Sequence, residues 1–312
     1  MLARMSSLAV VIPLYNHATY IAAAMQSVYA QTRAADRVIV IDDGSTDDSF
    51  AAAKKCARQG TELVRQENMG AHAVLNRGIE MAADCDFVAI LNSDDTWHPE
   101  RLYRCRAELT ARSEIGAVCT GLHLVDSAGT HLAETTAKVR RHRQIWTLVK
   151  KQHDPLLSLA ISNFTKSTSN LVGRQAFFAE HPFGPYRYIH DYHWVLQAAL
   201  QDRLGLVPDD LLAYRVHESN TIKANGRRAV VAETVQMHLD ILGGLAPAMA
   251  GSARLRERIR HYLQCLLGNH TDFRGQLFFQ VIAEAIARQP DLFSITSLGD
   301  YEEFEGKSSA LP

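Results

Sequence analysis

Phe87-Val88-Ala89-Ile90-Leu91-Asn92-Ser93-Asp94-Asp95 decides the reading of this chain. Its five leading apolar residues predict a strand buried on both faces, and the run breaks at once into two adjacent carboxylates. In an open α/β sheet, ligands bind beyond the carboxyl ends of the strands. Two acids at such an end are costly beside a dry sheet unless a cation offsets them. A divalent metal with oxygen ligands is the obvious cation. A solvated strand-to-loop turn is the plainer alternative.

The same grammar occurs twice upstream. Leu8-Ala9-Val10-Val11-Ile12 ends at Pro13-Leu14-Tyr15-Asn16, and Arg37-Val38-Ile39-Val40-Ile41 ends at Asp42-Asp43-Gly44-Ser45. Three apolar runs, each ending in polar or aromatic residues and separated by helical spacing, point to a nucleotide and metal site along one sheet edge.

Bulk composition narrows the classes. The 312 residues suffice for one large domain or two ordinary ones. Apolar content of 47% and charged content of 21% fit a soluble globular chain. A net charge of −1 gives no electrostatic argument for a nucleic-acid partner. The five cysteines are scattered and form no C-x-x-C pair, so neither a zinc site nor a disulfide framework is expected. The first apolar run is short and meets Pro13 and Asn16, unlike a secretion signal. No stretch approaches the ~20 apolar residues of a membrane span. A cytoplasmic location, with peripheral contact at the inner membrane face as a variant, is the expectation.

Helical spacing runs from Ala18 to Gln31, with Ile21, Met25, Val28 and Tyr29 as its apolar positions. Ser45 reads as the N-cap of a helix reaching Gln59, where Gly60 stops it. Thr61 to Arg65 predicts a strand and Gly70 to Ala82 a helix. Pro99 suits the first turn of a helix ending near Arg112. Ile115 to Thr120 predicts a strand, and Leu122 to Leu132 a hairpin around Ser127-Ala128-Gly129. This alternation argues for a mainly parallel, doubly wound α/β sheet. The stretch Lys138 to Lys151 is basic, which suits either a solvated helix face or contact with a phosphorylated lipid or membrane surface. Asn163 to Val172 reads as a strand entering a helix, Tyr188 to Gln201 as a helix, and Leu204 to Val216 as a strand broken by Pro208-Asp209-Asp210. Helical patterns follow at about 228–249, 253–268 and 274–289. In the second, Leu255, Ile259, Tyr262, Leu263, Leu266 and Leu267 form one apolar stripe. Gly306 to Pro312 reads as a disordered tail.

Taken in order, Val10-Val11-Ile12-Pro13-Leu14-Tyr15-Asn16, Ile41-Asp42-Asp43-Gly44-Ser45-Thr46-Asp47, Asn68-Met69-Gly70 with Asn76-Arg77-Gly78, and Leu91-Asn92-Ser93-Asp94-Asp95 resemble the family 2 glycosyltransferases of the GT-A fold. The resemblance covers about residues 6–222. It implies a GT-A domain over 1–225, with a nucleotide-binding half to about 120 and an acceptor and catalytic half over 121–225. Residues 226–312 are then a helical C-terminal extension, open to membrane docking or to homo-oligomer formation. The implied activity is inverting transfer of a sugar from a nucleotide-diphosphate donor, a UDP-sugar being favoured, to a saccharide or lipid-linked acceptor.

The resemblance also assigns roles. Tyr15 offers a flat face for the base and Pro13 shapes the pocket floor. Asp43 accepts a hydrogen bond from the base edge, while Asp42 braces the loop and Gly44 lets the chain turn close to the ligand. Asn68, Gly70 and Asn76 lie on the nucleotide side. Asp95 is the direct ligand of Mn²⁺ or Mg²⁺, with Asp94 on the ribose or a metal-bound water. Asp191, in His190-Asp191-Tyr192-His193-Trp194, matches the general base. His217 is a further metal or diphosphate contact, Arg215 pairs with Asp191 or the phosphates, and Ser167 to Asn170 touch the acceptor. The chain departs from the family in two places: Leu75 stands where an Arg is common, which leaves Arg77 or Arg65 to supply that contact, and His190 stands where an acid is usual.

A nucleotide-sugar-binding module with weakened catalysis is the alternative, supported by Leu75 and His190 and opposed by Asp43, Asp95 and Asp191. A sugar nucleotidyltransferase would need a glycine-rich basic loop after the first strand, which Pro13-Leu14-Tyr15-Asn16-His17 is not. No G-x-G-x-x-G follows any strand, which disfavours a dinucleotide-binding dehydrogenase.

Overall fold

Side-chain alternation along the first strands fixes the layers. In β1 (Leu8–Leu14), Leu8, Val10, Ile12 and Leu14 join one apolar cluster while Ala9 and Val11 join another. In β2 (Arg37–Asp43) and β4 (Phe87–Ile90), Ile39, Ile41, Val88 and Ile90 fall with Ala9 and Val11, and Val38, Val40, Phe87 and Ala89 with Leu8. Apolar residues at both phases of a period of two are what a strand covered on both faces requires.

The computed structural model describes residues 6–152, 154–217 and 227–268. Its other strands are β3 (Thr61–Gln66), β5 (Thr96–Trp97), β6 (Ala117–Val125), β7 (Val172–Arg174) and β8 (Leu204–Arg215). All eight form one sheet in the order β3-β2-β1-β4-β7-β6-β8-β5. β1 lies parallel to β2 and β4, β2 to β3, and β6 to β8, whereas β7 runs antiparallel between β4 and β6, and β5 antiparallel on β8. The sheet is therefore mainly parallel, with the reversed β7 joining its two halves.

Helices α1 (Ile21–Tyr29), α2 (Ser49–Cys56) and α4 (Arg101–Ala111) cover the Leu8 face. The Val11 face is covered by α3 (Ala71–Met81), α5 (Ala137–Gln152), α6 (Pro155–Ile161), α7 (Gln175–Glu180) and α8 (His190–Leu200). Onto this face also pack α9 (Arg227–Gly251) and α10 (Ala253–Gly268), through Met237, Ile241, Ile259, Tyr262 and Leu266. Trp194 stacks between Phe178 and Phe183, with ring centroids 4.6 and 5.6 Å away, and so packs beneath the site instead of facing a sugar.

Several local expectations are corrected. Ser45 does not cap α2, which begins at Ser49; its Oγ instead accepts the Asn16 N–H at 3.0 Å, tying the β2 loop to the β1 loop. Most of the stretch from Asn163 to Val172 is not a strand. Thr168–Asn170 is a 3₁₀ turn, and Val172 opens the three-residue β7. Its polar side chains are taken by the neighbouring acidic loop, which competes with a sheet ladder. The hairpin expected at Leu122 to Leu132 shrinks to one bridge, Val125 to His131, because the Asp126 carboxylate accepts from Ala128 N and Thr130 N and curls the turn on itself. Pro208-Asp209 does not end β8: the register against β6 passes from Thr120–Val207 to Gly121–Asp210, so the extra residues bulge and pairing resumes. The pattern at 274–289 and the tail Gly306 to Pro312 lie outside the described residues.

Gly78 shows how closely α3 sits on β1. A Cβ there would fall well inside van der Waals contact of Val11 Cγ1. Gly78→Ala is expected to lower the unfolding free energy by about 1–3 kcal/mol; denaturant titration reads this directly, and an unchanged midpoint would show that the helix can shift at no cost.

Candidate active site

Strand order brings the sequence motifs together. β2, β1 and β4 are neighbours, so the loops that leave their carboxyl ends, carrying Asp43, His17 and Asp94, lie side by side. β8, on the far side of the reversed strand, delivers Arg215 and His217 to the same edge.

The two adjacent acids point to different environments. Asp95 is turned inward and is 1% exposed. Its Oδ2 accepts from Ser169 Oγ at 2.6 Å and Ser167 Oγ at 3.3 Å, and its Oδ1 accepts from Arg215 N at 2.9 Å. Burial, with the charge of Asp94 adding to it, pushes the Asp95 carboxyl up to about 8. Asp94 faces the cleft instead. Its Oδ2 lies 3.0 Å from His217 Nε2 and 4.0 Å from His17 Nε2. One ligand atom from each of His17, Asp94 and His217 lies within 4.8 Å of the others, a group that could hold a metal ion. Of the two acids, Asp94 is thus the one placed in the cleft beside the two histidines, while Asp95 is buried behind it.

Supporting bonds orient this group. His17 Nδ1 meets Ser93 Oγ at 2.8 Å, which directs Nε2 toward Asp94, and burial lowers the pKa of the His17 ring and favours its neutral form. Arg215 clamps carbonyls and does not pair with Asp191: Nε donates to Asp94 O at 2.7 Å, and Nη1 donates to Asp126 O and Ser127 O at 3.1 and 3.0 Å. Arg101, fully buried, donates to Thr120 Oγ1 and Ser169 O beneath the same loop. Within the stretch expected to touch the acceptor, Ser167 and Thr168 line the cleft, while Asn170 bonds the Thr120 backbone at 2.8 and 2.9 Å.

Asp191 sits in the first turn of α8, 9% exposed, where the helix N-terminus favours a carboxylate. Its Oδ2 accepts from Asn163 Nδ2 at 2.9 Å and its Oδ1 from Tyr192 N at 2.7 Å. The Asn163 amide is oriented in turn, since its Oδ1 accepts from Thr165 Oγ1 at 2.6 Å. Burial lowers the pKa of neighbouring His190, which favours its neutral form. Asp191, Asp94, His17 and His217 line one cleft of about 460 Å³.

The remaining expected residues are not among those lining this cleft. Tyr15 is 45% exposed just beyond β1, which holds Pro13. Asp43 is buried and its carboxylate accepts from Gln66 Nε2 at 2.8 Å and from Met69 N and Gly70 N, each at 2.9 Å. Of roughly four acceptor positions on a carboxylate, three are used to shape this loop. Gly44, at φ 74°, lies against Asn68, whose backbone N would be 3.0 Å from a Cβ. Asp42 pairs with Arg65 at 3.1 Å. Asn76 is not among the cleft residues: its amide donates to Phe183 O at 3.0 Å and accepts from Phe183 N at 2.8 Å. Leu75 is fully buried in the core, so its position does not face the site. Arg65 also donates to Ser45 O, and Arg77 donates to Gln66 Oε1. Glu218, Ser219 and Asn220, in the loop that follows His217, lie outside the described residues.

Sequence reasoning missed His17, Asn163 and Lys166, all at the cleft or bonded to a residue that lines it. The position of His17 directly after a strand-end Asn was a usable signal; Asn163 and Lys166 stood in a segment read as strand.

A strand-end acid, two histidines and a carboxylate in the first turn of a helix thus share one cleft over a mainly parallel sheet. The family described as Glycosyl transferase family 2 matches residues 9–180, and the chain belongs to it. An uncharacterised glycosyltransferase of Nostoc sp. is 34% identical over 122 residues, covering 38% of this chain and 37% of its own length. The succinoglycan biosynthesis protein ExoW of Rhizobium meliloti is 39% identical over 111 residues, covering 34% of this chain and 35% of its own. These matches thus span little more than a third of either relative. Among solved structures, S. aureus TarS 1-349 in complex with UDP-GlcNAc superposes with a TM-score of 0.60 at 16% identity, covering 90% of this chain and 80% of that one. Glucosyl-3-phosphoglycerate synthase of Mycobacterium tuberculosis, with Mn²⁺ and UDP, gives 0.51 at 20% identity, covering 76% and 80%. These likenesses establish the GT-A fold. Among the described residues no helix is long and apolar enough to cross a membrane.

Asp43→Ala would strand the Met69 and Gly70 N–H groups. It is expected to destabilise the fold by about 2 kcal/mol or more, read by chemical unfolding. A loss of nucleotide affinity at unchanged stability would point instead to a ligand contact.

Proposed function

We propose that this glycosyltransferase moves a sugar, with inversion, from a UDP-sugar to a hydroxyl of a saccharide or lipid-linked acceptor. The observation that carries the reading is that Asp191 and the His17–Asp94–His217 group line one cleft. Two imidazole nitrogens and one carboxylate oxygen suit Mn²⁺ better than Mg²⁺, which prefers oxygen ligands. A metal held by these three would neutralise the donor diphosphate and the leaving nucleotide.

The chain's own residues would do the rest. Tyr15, exposed just beyond β1, offers its ring face to the base. Asp191 takes the proton from the acceptor hydroxyl as it attacks the anomeric carbon from the side opposite the nucleotide. Asn163 steers that carboxylate by holding one oxygen. A neutral His190 beside Asp191, in place of a second acid, spares the base like-charge repulsion, which would raise its pKa. A base so oriented argues for turnover over mere donor binding. The UDP-bound structures of similar fold and the polysaccharide role in the name of ExoW support the donor and acceptor classes.

Asp94→Ala is expected to weaken Mn²⁺-dependent UDP binding by more than the ~10–100-fold typical of losing a supporting contact. Calorimetry with and without Mn²⁺ measures it, and equal affinity in the variant would remove Asp94 as a ligand. Asp191→Asn should retain UDP binding while lowering turnover by about 10²–10⁴-fold; near-normal sugar transfer would exclude Asp191 as the base.

A further inference from the structure

Four cations line the cleft beyond the Asp94 end: Lys138, Arg141, Lys166 and Arg187. The carboxylates lining it are Asp94 and Asp191, and each has a nearer partner, His217 at 3.0 Å and Asn163 at 2.9 Å. Among the described residues none of the four cations forms an ion pair. Lys138 and Arg141 stand three apart on α5, and so share the face turned to the cleft, while Val139, His142, Ile145 and Trp146 fix the helix from the other side. Lys166 is held at φ 64°, a left-handed backbone that a side-chain-bearing residue adopts at a cost. It sits between Asn163, which bonds Asp191, and Ser167, which bonds Asp95. Burial and the nearby charges of Arg141 and Lys138 lower the Lys166 pKa against the opposing pull of Asp191, while Lys138, Arg141 and Arg187 stay exposed to solvent.

Four cations, none in an ion pair among the described residues, outnumber the two carboxylates of the cleft and fit an added anion. A metal held at the Asp94 end would answer the donor diphosphate, whereas Lys166 lies on the segment that bonds Asp191. We propose that Lys138, Arg141, Lys166 and Arg187 form a phosphate subsite for the acceptor, so that the hydroxyl glycosylated here belongs to a phosphate-bearing molecule. The inference rests on the glycosyl-transfer reading above and narrows its acceptor to those with phosphate near the reacting hydroxyl. Two arginines supply planar forks and two lysines point charges, a set matched to a phosphate's several oxygens.

The test uses the full chain and two probes, glycerol 3-phosphate for a terminal monoester and dimethyl phosphate for a chain-internal diester. Binding of each is titrated by calorimetry with saturating UDP and Mn²⁺, in wild type, Lys166→Gln, Arg141→Gln and Arg140→Gln. Arg140 is on the same helix but does not line the cleft. Wild type and Arg140→Gln should bind at least one probe. Lys166→Gln and Arg141→Gln should each bind it about tenfold or more weakly, the loss of one charge-assisted bond, with UDP affinity held. Monoester binding alone assigns a terminal phosphate, and diester binding an internal one. The proposal is overturned if neither probe binds wild type, if Arg140→Gln weakens binding equally, or if the probes bind only without UDP, which would give these cations to the donor. Failure of UDP itself to bind, measured before any probe is added, would remove the glycosyl-transfer reading and the acceptor assignment with it.

Discussion

Burying the Asp95 carboxylate costs several kcal/mol unless donors surround it, and parts of the chain distant in sequence arrive to supply them. Ser167 and Ser169 come from the 3₁₀ turn and its approach, and the Arg215 N–H from the end of β8. Meeting that demand holds the 3₁₀ turn and the end of β8 against the loop that follows β4. It also turns Asp94 outward, brings His217 opposite it, and sets the Arg215 side chain against the carbonyls of Asp94, Asp126 and Ser127. The cleft is in this sense a by-product of satisfying one buried acid.

The second anchor is the Asn76 amide, whose two ends bond both backbone groups of Phe183. It joins α3 to the segment that leads into α8, and Phe183 lies stacked on Trp194. The helix that carries Asp191 is thus referenced to α3 directly as well as through the sheet. A residue that the family resemblance assigned to the donor here ties α3 to the approach to α8.

The strands of the first half were legible because their apolar runs are continuous and end in abrupt polar motifs. Leu8–Leu14, Arg37–Asp43 and Phe87–Ile90 fall where the pattern put them. The motif order carried the family, which the match over residues 9–180 bears out. Where reading failed, the competing force was a side chain bonding across the fold. Ser45 looks like a helix cap until Asn16 is beside it, and Ser167, Thr168 and Ser169 look strand-compatible until Asn92 and Asp95 claim their hydroxyls. Which of Asp94 and Asp95 faces the cleft depends on the phase of a turn after the strand, which no periodicity in the sequence encodes. Asn163 and Lys166 were invisible for the same reason, as their roles arise from partners dozens of residues away.

One short segment, 163–170, touches both chemical ends of the cleft. Asn163 fixes the carboxylate on α8, Ser167 and Ser169 fix the acid beneath the metal-capable group, and Lys166 projects between them. The span between Asp191 and the Asp94 end of the cleft is therefore set by a count of backbone units along this ruler. Side chains here can be exchanged for others of like bonding, but adding or removing a single residue would move one end relative to the other. In recombining such enzymes, length along this stretch is the quantity to preserve, and a chimera joined inside it inherits a mis-spaced site even when every chemical group is present.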